Sequence, residues 1–276
     1  MKIFTLIENT ACGEEFRIAH GLSQYIETAD HKILFDMGPN ADYVENAEKL
    51  GVDLAAVDIA VLSHGHNDHS GGLRKFLELN DHAKVYVQAA AFGDYCAVEP
   101  DGAVKELRVE PALEAEFGHR LVAVTGVTVI DESLTLFDTV GTAFPAVDTS
   151  ARLKERTAEG FIPDAFAHEH NLIVREGEKA VVFGGCAHRG VVNIRDAAAA
   201  ILGREPDAVV SGFHLFNLTE GNEAGTELIR ATGRELKRGS AVCYTGHCTG
   251  DYPYGLLKEI LGEQLQKIST GGVVEL

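Results

Sequence analysis

The segment SHGHNDHSGG, residues 63–72, is the feature that most constrains the fold of this chain. It places three histidines and one aspartate within six positions, directly after the apolar run VDIAVL. A short apolar run is typical of a buried strand, and Gly65 allows the backbone to bend tightly after it. Imidazole and carboxylate groups are common metal ligands. We therefore predict a strand that ends in a metal-binding loop, with a solvated polar loop as the alternative.

The H-x-H-x-D-H spacing of this segment suits two metal ions. Alternate residues of an extended loop point the same way, so His64 and His66 are expected to face one ion. Asp68 and His69 are expected to enter a helix and to point elsewhere, towards a second ion. Asp68 also suits the N-cap of a helix in GLRKFLEL, because aspartate is favoured at that position, and capping does not exclude ligation.

Short apolar runs recur along the chain and predict strands. These runs are KIFTLI, SQYIET, KILFD, VDIAVL, KVYVQ, RLVAVTGVTVI, LTLFD, NLIV, KAVVFG, DAVVSG, SAVCYTG and QKIST. Helical patterns occur in GLRKFLEL, VVNIRDAAAAIL and YGLLKEIL. The chain is therefore predicted to be α/β, strand-rich at its start and βαβ-like towards its end. Residues 89–165 have no sustained period and are predicted to form long loops or a cap.

Other candidate ligands also follow predicted strands. His188 follows KAVVFGG, His214 follows DAVVSG and His247 follows SAVCYTG. Ligands of α/β sheets bind beyond the carboxyl ends of the strands, so these segments are expected to meet in one site. We predict His188 and His247 to be metal ligands and His214 to contact substrate or donate a proton. Cys186 is a candidate ligand, with a buried core cysteine as the equal alternative.

Three further residues have weaker signals. Asp36 ends the predicted strand KILFD, where it can orient a metal-bound histidine through the second ring nitrogen or simply form a turn. His168 and His170 precede the predicted strand NLIV rather than follow one. We consider both to be candidate substrate contacts that reach the site from the irregular region.

Composition limits the classes of function. The formal net charge is −18, and no stretch is rich in lysine or arginine, which argues against nucleic-acid binding. The five cysteines are an odd number and widely spread, so we expect reduced thiols. Neither a membrane span nor a secretory signal is recognisable, and a cytoplasmic location is expected. The length suits a single domain over residues 1–276.

The H-x-H-x-D-H motif, followed by two glycines after an apolar strand, resembles the signature loop of the metallo-β-lactamase superfamily. The resemblance extends over the chain, since LFDMG, VVFGGC and TGHCTG resemble further motifs of that superfamily. It implies a four-layer αβ/βα sandwich of two βαβ-like halves, with a metal site at one edge where the two sheets meet.

Five segments together resemble one subgroup of the superfamily, the dihydropterin-6-ylmethyl-ribofuranosylaminobenzene-phosphate synthase-like proteins. These segments are AHGLS, HEHNLIV, GGCAHRGVVNI, SGFHL and GHCTG. The chain departs from the wider superfamily in two ways. No mid-chain histidine loop occurs in residues 120–145, so His188 is expected to replace it, and Cys186 stands at the usual bridging aspartate position.

The expected function is hydrolysis by a dinuclear metal centre. One ion takes His64, His66 and His188, and the other takes Asp68, His69 and His247. Zinc is the first expectation, although the same ligands accept iron or manganese. Water activated by the pair would attack a phosphoester or carbonyl of a small molecule, with Asp68 and His214 as catalytic residues.

Three alternatives stay open. A pterin-related transferase follows from the subgroup resemblance, and it would use Arg189, or Arg152 and Arg156, to bind an anionic group. A di-iron oxidoreductase would show a redox-active spectrum and oxygen consumption. A non-catalytic metal-binding protein would have all coordination positions closed by protein, as structural zinc sites do.

Overall fold

The computed structural model describes residues 1–276 and divides them into two compact units. Unit 1 comprises residues 1–125, 148–170 and 269–276, and unit 2 comprises residues 126–147 and 171–268. None of the helices has the length and apolar character needed to cross a membrane.

Unit 1 contains a large sheet of seven strands. These are β1 (Lys2–Ile7), β2 (Ser23–Glu27), β3 (Lys32–Phe35), β4 (Ile59–Leu62), β5 (Lys84–Gln88), β8 (Leu121–Val124) and β18 (Val273–Glu275). Their order across the sheet is β18-β1-β2-β3-β4-β5-β8. Strands β3, β4, β5 and β8 pair in parallel, and the remaining neighbours pair antiparallel. The helices of the unit are α1 (Asp42–Lys49), α2 (Asn67–Ser70), α3 (Leu73–Leu79) and α4 (Ala112–Phe117).

Unit 1 also contains a smaller antiparallel sheet. Its strands are β6 (Tyr95–Val98), β7 (Val104–Glu106), β11 (Leu153–Thr157) and β12 (Gly160–Pro163), in the order β12-β11-β6-β7. These four strands are regular structure where long loops were one expectation, and the alternative of a cap stays a prediction. Strands β7 and β12 are exposed along their length, so their sequences lack the apolar run that marks a buried strand.

Unit 2 is built on a second sheet of seven strands. These are β9 (Val127–Val129), β10 (Leu134–Phe137), β13 (Asn171–Glu176), β14 (Lys179–Phe183), β15 (Ala208–Val210), β16 (Val242–Thr245) and β17 (Leu265–Lys267). Their order across the sheet is β17-β16-β15-β14-β13-β10-β9. Strands β14 to β17 pair in parallel. Each of the other neighbouring pairs, β13–β14, β10–β13 and β9–β10, is antiparallel. The helices are α5 (Val191–Leu202), α6 (Glu223–Arg238) and α7 (Asp251–Leu261).

The apolar runs of the sequence form the strands that they predict. Strands β4, β10 and β15 are buried at every residue, as expected where both faces of a sheet are covered. Each unit has its own apolar core. That of unit 1 includes Leu34, Leu62, Phe76 and Val85, and that of unit 2 includes Phe137, Ile173, Val182, Ile194 and Val209.

Two glycines join the histidine loop to α3. The amide of Gly72 donates to the carbonyl of Gly38, and the amide of Met37 donates to the carbonyl of His69. The turn after β3 therefore lies backbone against backbone on the end of the histidine loop. A Cβ on Gly71 would collide with the carbonyl of Pro39, so no larger residue fits without displacing this contact.

We expect Gly71→Ala to lower the free energy of unfolding by about 2–3 kcal/mol, because the added methyl overpacks a backbone contact. Gly255→Ala is the matched control, since Gly255 lies in α7 and a Cβ added there would have no other atom within 4 Å. That substitution should raise the free energy of unfolding by about 0.5–1 kcal/mol, because alanine favours a helix interior. Urea unfolding of both variants measures the two values, and equal effects would contradict the close approach.

Candidate metal centre

The histidine loop begins where β4 ends at Leu62. His66 has extended backbone (φ −91°, ψ 146°), and α2 starts at the next residue. His64, His66 and His69 are buried, whereas the Asp68 side chain keeps 19% of its exposure. The predicted change from extended loop to helix is therefore present. Asp68 lies inside α2 and does not cap α3, whose N-cap is a glycine, so the capping interpretation is wrong.

Asp36 lies at the end of β3 and is completely buried. Its Oδ1 accepts from the backbone amide of Ser63 at 2.7 Å, and its Oδ2 accepts from the Ser63 hydroxyl at 2.7 Å. The same Oδ2 lies 2.6 Å from Nδ1 of His69. An ionised carboxylate only accepts hydrogen bonds, so Nδ1 of His69 is the donor and carries the hydrogen.

Ser63 extends this network to His64. The Ser63 hydroxyl has one hydrogen, which it donates to Asp36, so it accepts from Nδ1 of His64 at 2.9 Å. Burial, together with the neighbouring His69, His66 and His168, holds the pKa of His64 well below its usual value. In their neutral forms His64 and His69 therefore both leave Nε2 unprotonated, which is the form that binds metal.

A second buried carboxylate, Asp164, contacts the remaining histidine of the loop. Its Oδ2 lies 3.4 Å from Nε2 of His66 and 3.1 Å from Nε2 of His168. Burial alone would raise the pKa of Asp164, but the hydrogen bonds from His168 and His66 bring it below its usual value. Burial lowers the pKa of His168 to about 4. At neutral pH the carboxylate is therefore ionised and His168 is neutral.

Asp164 is not among the site residues predicted from the sequence. It stands four residues before His168 in DAFAH, but no helix brings that spacing onto one face, and the contact with His66 joins residues 98 positions apart. A local pattern therefore contained no signal for it beyond an aspartate near two histidines.

His168 and His170 are candidate substrate contacts from the sequence; the structure gives both of them protein partners, and a contact with substrate stays a prediction. His168 is fully buried between the amide of Gly65 and the carboxylate of Asp164. His170 is also buried, and its Nε2 donates to the carbonyl of Leu62 at 2.8 Å. Each imidazole therefore forms a hydrogen bond with the backbone of the histidine loop or of the strand that precedes it.

Three candidate site residues of unit 2 lie close together beyond the ends of β14 and β15. The ligand atoms of Cys186, His188 and His214 are within 4.8 Å of one another, and all three residues are buried. The rings of His188 and His214 have centroids 4.2 Å apart. His247 is buried at the end of β16, where it begins a single 3₁₀ turn.

The buried ring nitrogens of His214 indicate a ligand site. Neither Nδ1 nor Nε2 of this residue has a hydrogen-bond partner, although the side chain is buried. Burying a polar group without a partner costs free energy, so such a group is expected where a metal, water or substrate completes the site. The donor set of imidazole, thiol and carboxylate groups fits a transition metal such as zinc.

Backbone strain is concentrated at the candidate residues. Five residues other than glycine have positive φ: Asp36, Phe166, Ala187, His214 and His247. Three of these are candidate site residues, Ala187 lies between Cys186 and His188, and Phe166 lies between Asp164 and His168. Left-handed backbone in such residues costs roughly 1–3 kcal/mol each and clusters at functional sites.

The arginines expected to bind an anionic group have protein partners. Arg189 donates to the carbonyls of Asp138 and Val140 at 2.9 and 2.8 Å. Arg152 pairs with Glu99, and Arg156 pairs with Asp94 and Glu106. Each guanidinium therefore already contacts a loop or a strand of its own unit, and a role in binding an anionic group stays a prediction.

Comparison with known proteins tests the family resemblance. The family model described as the metallo-beta-lactamase superfamily matches residues 20–198. The chain is 27% identical to the 7,8-dihydropterin-6-methyl-4-(beta-D-ribofuranosyl)-aminobenzene-5'-phosphate synthase of Methanocaldococcus jannaschii, over 100% of this chain and 96% of that protein. The resemblance to that subgroup is thereby confirmed.

Solved structures give the same result for the fold. Tm1679, described as a metal-dependent hydrolase of the beta-lactamase superfamily, superposes with a TM-score of 0.80 at 25% identity, over 100% of this chain and 99% of that one. Zn(2+)-bound PqqB from Methylobacterium extorquens superposes with a TM-score of 0.60 at 12% identity, over all of both chains. The predicted fold class is confirmed, and the chain belongs to the metallo-β-lactamase superfamily.

Proposed function

We propose that the protein is a metal-dependent hydrolase that activates water at a dinuclear centre for attack on a phosphoester or carbonyl of a small molecule. The hydrogen bonds of Asp36 are the main support, because they leave Nε2 of His64 and His69 unprotonated. Similarity to Tm1679, a protein described as a metal-dependent hydrolase, supports the same reaction class.

The proposed ligands are those that the sequence predicts. One ion would take His64, His66 and His188, and the other would take Asp68, His69 and His247, while Cys186 stands at the sequence position where the superfamily usually has an aspartate. Zinc is the proposed metal, since imidazole and carboxylate ligands suit it. Bound divalent ions supply Lewis acidity and hydroxide at neutral pH.

The residues of the chain have separate tasks in this proposal. Asp36 and Ser63 hold the rings of His64 and His69, so these two rings are oriented before metal binds. His214 has two buried ring nitrogens without a hydrogen-bond partner, and one of them is the proposed proton donor to the leaving group. The pocket beside His188 and His214 is lined mainly by apolar side chains, including Phe144, Val191 and Phe213, which exclude water from an organic group.

A pterin-related transferase is the second candidate function. The observation that favours it is the full-length similarity to the synthase of Methanocaldococcus jannaschii. Such an enzyme would join two substrates, whereas a hydrolase needs only one substrate and water. Product analysis therefore separates the two functions.

Elemental analysis of protein purified anaerobically without chelators should find about two zinc or manganese ions per chain. The double variant His64→Ala, Asp68→Ala should lose most of this metal, because it removes a proposed ligand from each ion. The control is His82→Ala, since His82 is exposed and pairs with Asp81. Unchanged metal in the double variant would contradict the ligand assignment, and two irons with oxygen consumption would favour an oxidoreductase.

Asp36→Asn should weaken zinc binding by about 10–100-fold. The amide of asparagine has one oxygen that accepts and an NH2 group that only donates, so Ser63 and His69 can no longer both keep their hydrogen bonds. Asp58→Asn is a matched control, since Asp58 makes an equally short 2.6 Å contact with Nδ1 of His31 away from the proposed ligands. Competition with a fluorescent zinc chelator measures both affinities. Equal affinities in the two variants would remove Asp36 from the proposal.

His214→Asn should lower kcat for the best substrate of a phosphodiester, phosphomonoester and lactone panel by about 10²–10⁴-fold, as expected for loss of a proton donor. Asparagine tolerates the positive φ of this position, so the backbone should keep its conformation. Metal content should be unchanged. A variant that keeps full activity would exclude His214 as the proton donor.

A further inference from the structure

We propose that Asp164 and His168 are a positioning pair that fixes the tautomer and orientation of the His66 ring, so that Nδ1 of His66 is its metal-binding nitrogen. This inference rests on the proposed function, since it assumes that His66 is a metal ligand. Asp164 and His168 are both buried and belong to unit 1, as does His66.

The tautomer of His168 follows from one backbone contact. The amide of Gly65 donates to Nδ1 of His168 at 3.0 Å. A backbone N–H can only donate, so Nδ1 accepts and has no hydrogen. The single hydrogen of the neutral imidazole is therefore on Nε2, which lies 3.1 Å from Asp164 and donates to it.

The tautomer of His66 follows from the same carboxylate. Oδ2 of Asp164 also lies 3.4 Å from Nε2 of His66, and Oδ1 accepts from the amide of Phe166 at 2.7 Å. An ionised carboxylate attracts an N–H donor, so Nε2 of His66 is the nitrogen that carries the hydrogen. Nδ1 is then unprotonated, which is the form required of a metal ligand.

The same reasoning excludes a separate metal site at this cluster. The ligand atoms of His66, Asp164 and His168 lie within 4.8 Å of one another, as they would around an ion. Nε2 of His168 carries a hydrogen, however, because Gly65 donates to the other ring nitrogen. A protonated nitrogen has no lone pair for a metal, so the three residues form a hydrogen-bonded support.

The segment 164–170 is attached firmly to the histidine loop. Besides the contacts to Gly65 and His66, the amide and Nε2 of His170 donate to the carbonyls of Ser63 and Leu62. The ring of Tyr95 packs on His168 with centroids 3.9 Å apart. The orientation of His66 therefore depends on a segment that lies 98 positions and more later in the chain.

The test measures ring tautomers in metal-free protein labelled with ¹⁵N-histidine, by long-range ¹H–¹⁵N correlation. We expect both His66 and His168 to carry hydrogen on Nε2 in the unsubstituted chain. Asp164→Asn should change the His66 pattern and weaken zinc binding by about 10–100-fold. Asp58→Asn should alter only the signals of His31, with which Asp58 pairs.

Two substitutions of His168 provide a second measurement if Asp164→Asn does not fold. His168→Gln keeps an N–H donor for Asp164, so it should keep the His66 tautomer and a zinc affinity within about threefold of the original chain. His168→Leu has no N–H donor, so it should lose the His66 tautomer and the zinc affinity of the original chain. A merely structural role for His168 would not distinguish these two variants, provided that circular dichroism shows both to be folded.

Hydrogen on Nδ1 of His66 in the unsubstituted metal-free chain would overturn the inference. An unchanged His66 tautomer and zinc affinity in folded Asp164→Asn would also overturn it, as would equal effects of His168→Gln and His168→Leu. The tautomers are measured without metal or substrate. A failure of the proposed hydrolysis would therefore leave this result intact, and the reverse also holds.

Discussion

The buried carboxylate of Asp36 is the contact on which the histidine loop depends. Strands β3 and β4 pair in parallel with Phe35 opposite Val61, so the residues that follow them lie side by side. Asp36 thereby accepts hydrogen bonds from both Ser63 and His69. The Ser63 hydroxyl in turn accepts from His64 and so orients its ring. A completely buried carboxylate is stable only when its oxygens accept hydrogen bonds, and here three donors from the histidine loop provide them.

The same principle explains why the carboxylate of Asp164 can be buried. Asp164 receives hydrogens from two imidazoles and a backbone amide, so its charge is stabilised without a cation from the protein. Ligand imidazoles held through their second nitrogen lose little freedom when metal binds, because their rings are already oriented. The left-handed backbone at Asp36, His214 and His247 has an energetic cost, which the surrounding sheet structure must offset.

The sequence predicted the strands of both large sheets except β18, because their burial requires continuous apolar runs, as in β4 and β15. It did not predict α6, the longest helix, because only two of its five buried residues, Ile229 and Leu236, have large apolar side chains, and two others are Gly225 and Gly233. Gly233 lies close to Ile260, so its role is to let two helices approach, which a single-helix pattern cannot indicate.

The sequence by itself determined the family, the α/β fold and the crowded histidine loop after β4, because these depend on local spacing and burial. Only the tertiary structure decided which ring nitrogen of His66 and of His69 faces a buried carboxylate. That choice is made by partners distant in sequence, namely Asp36, 33 positions from His69, and Asp164, 98 positions from His66. A hydrogen bond between distant residues produces no repeating pattern in the sequence, because its geometry arises from strand register and from the path of residues 164–170.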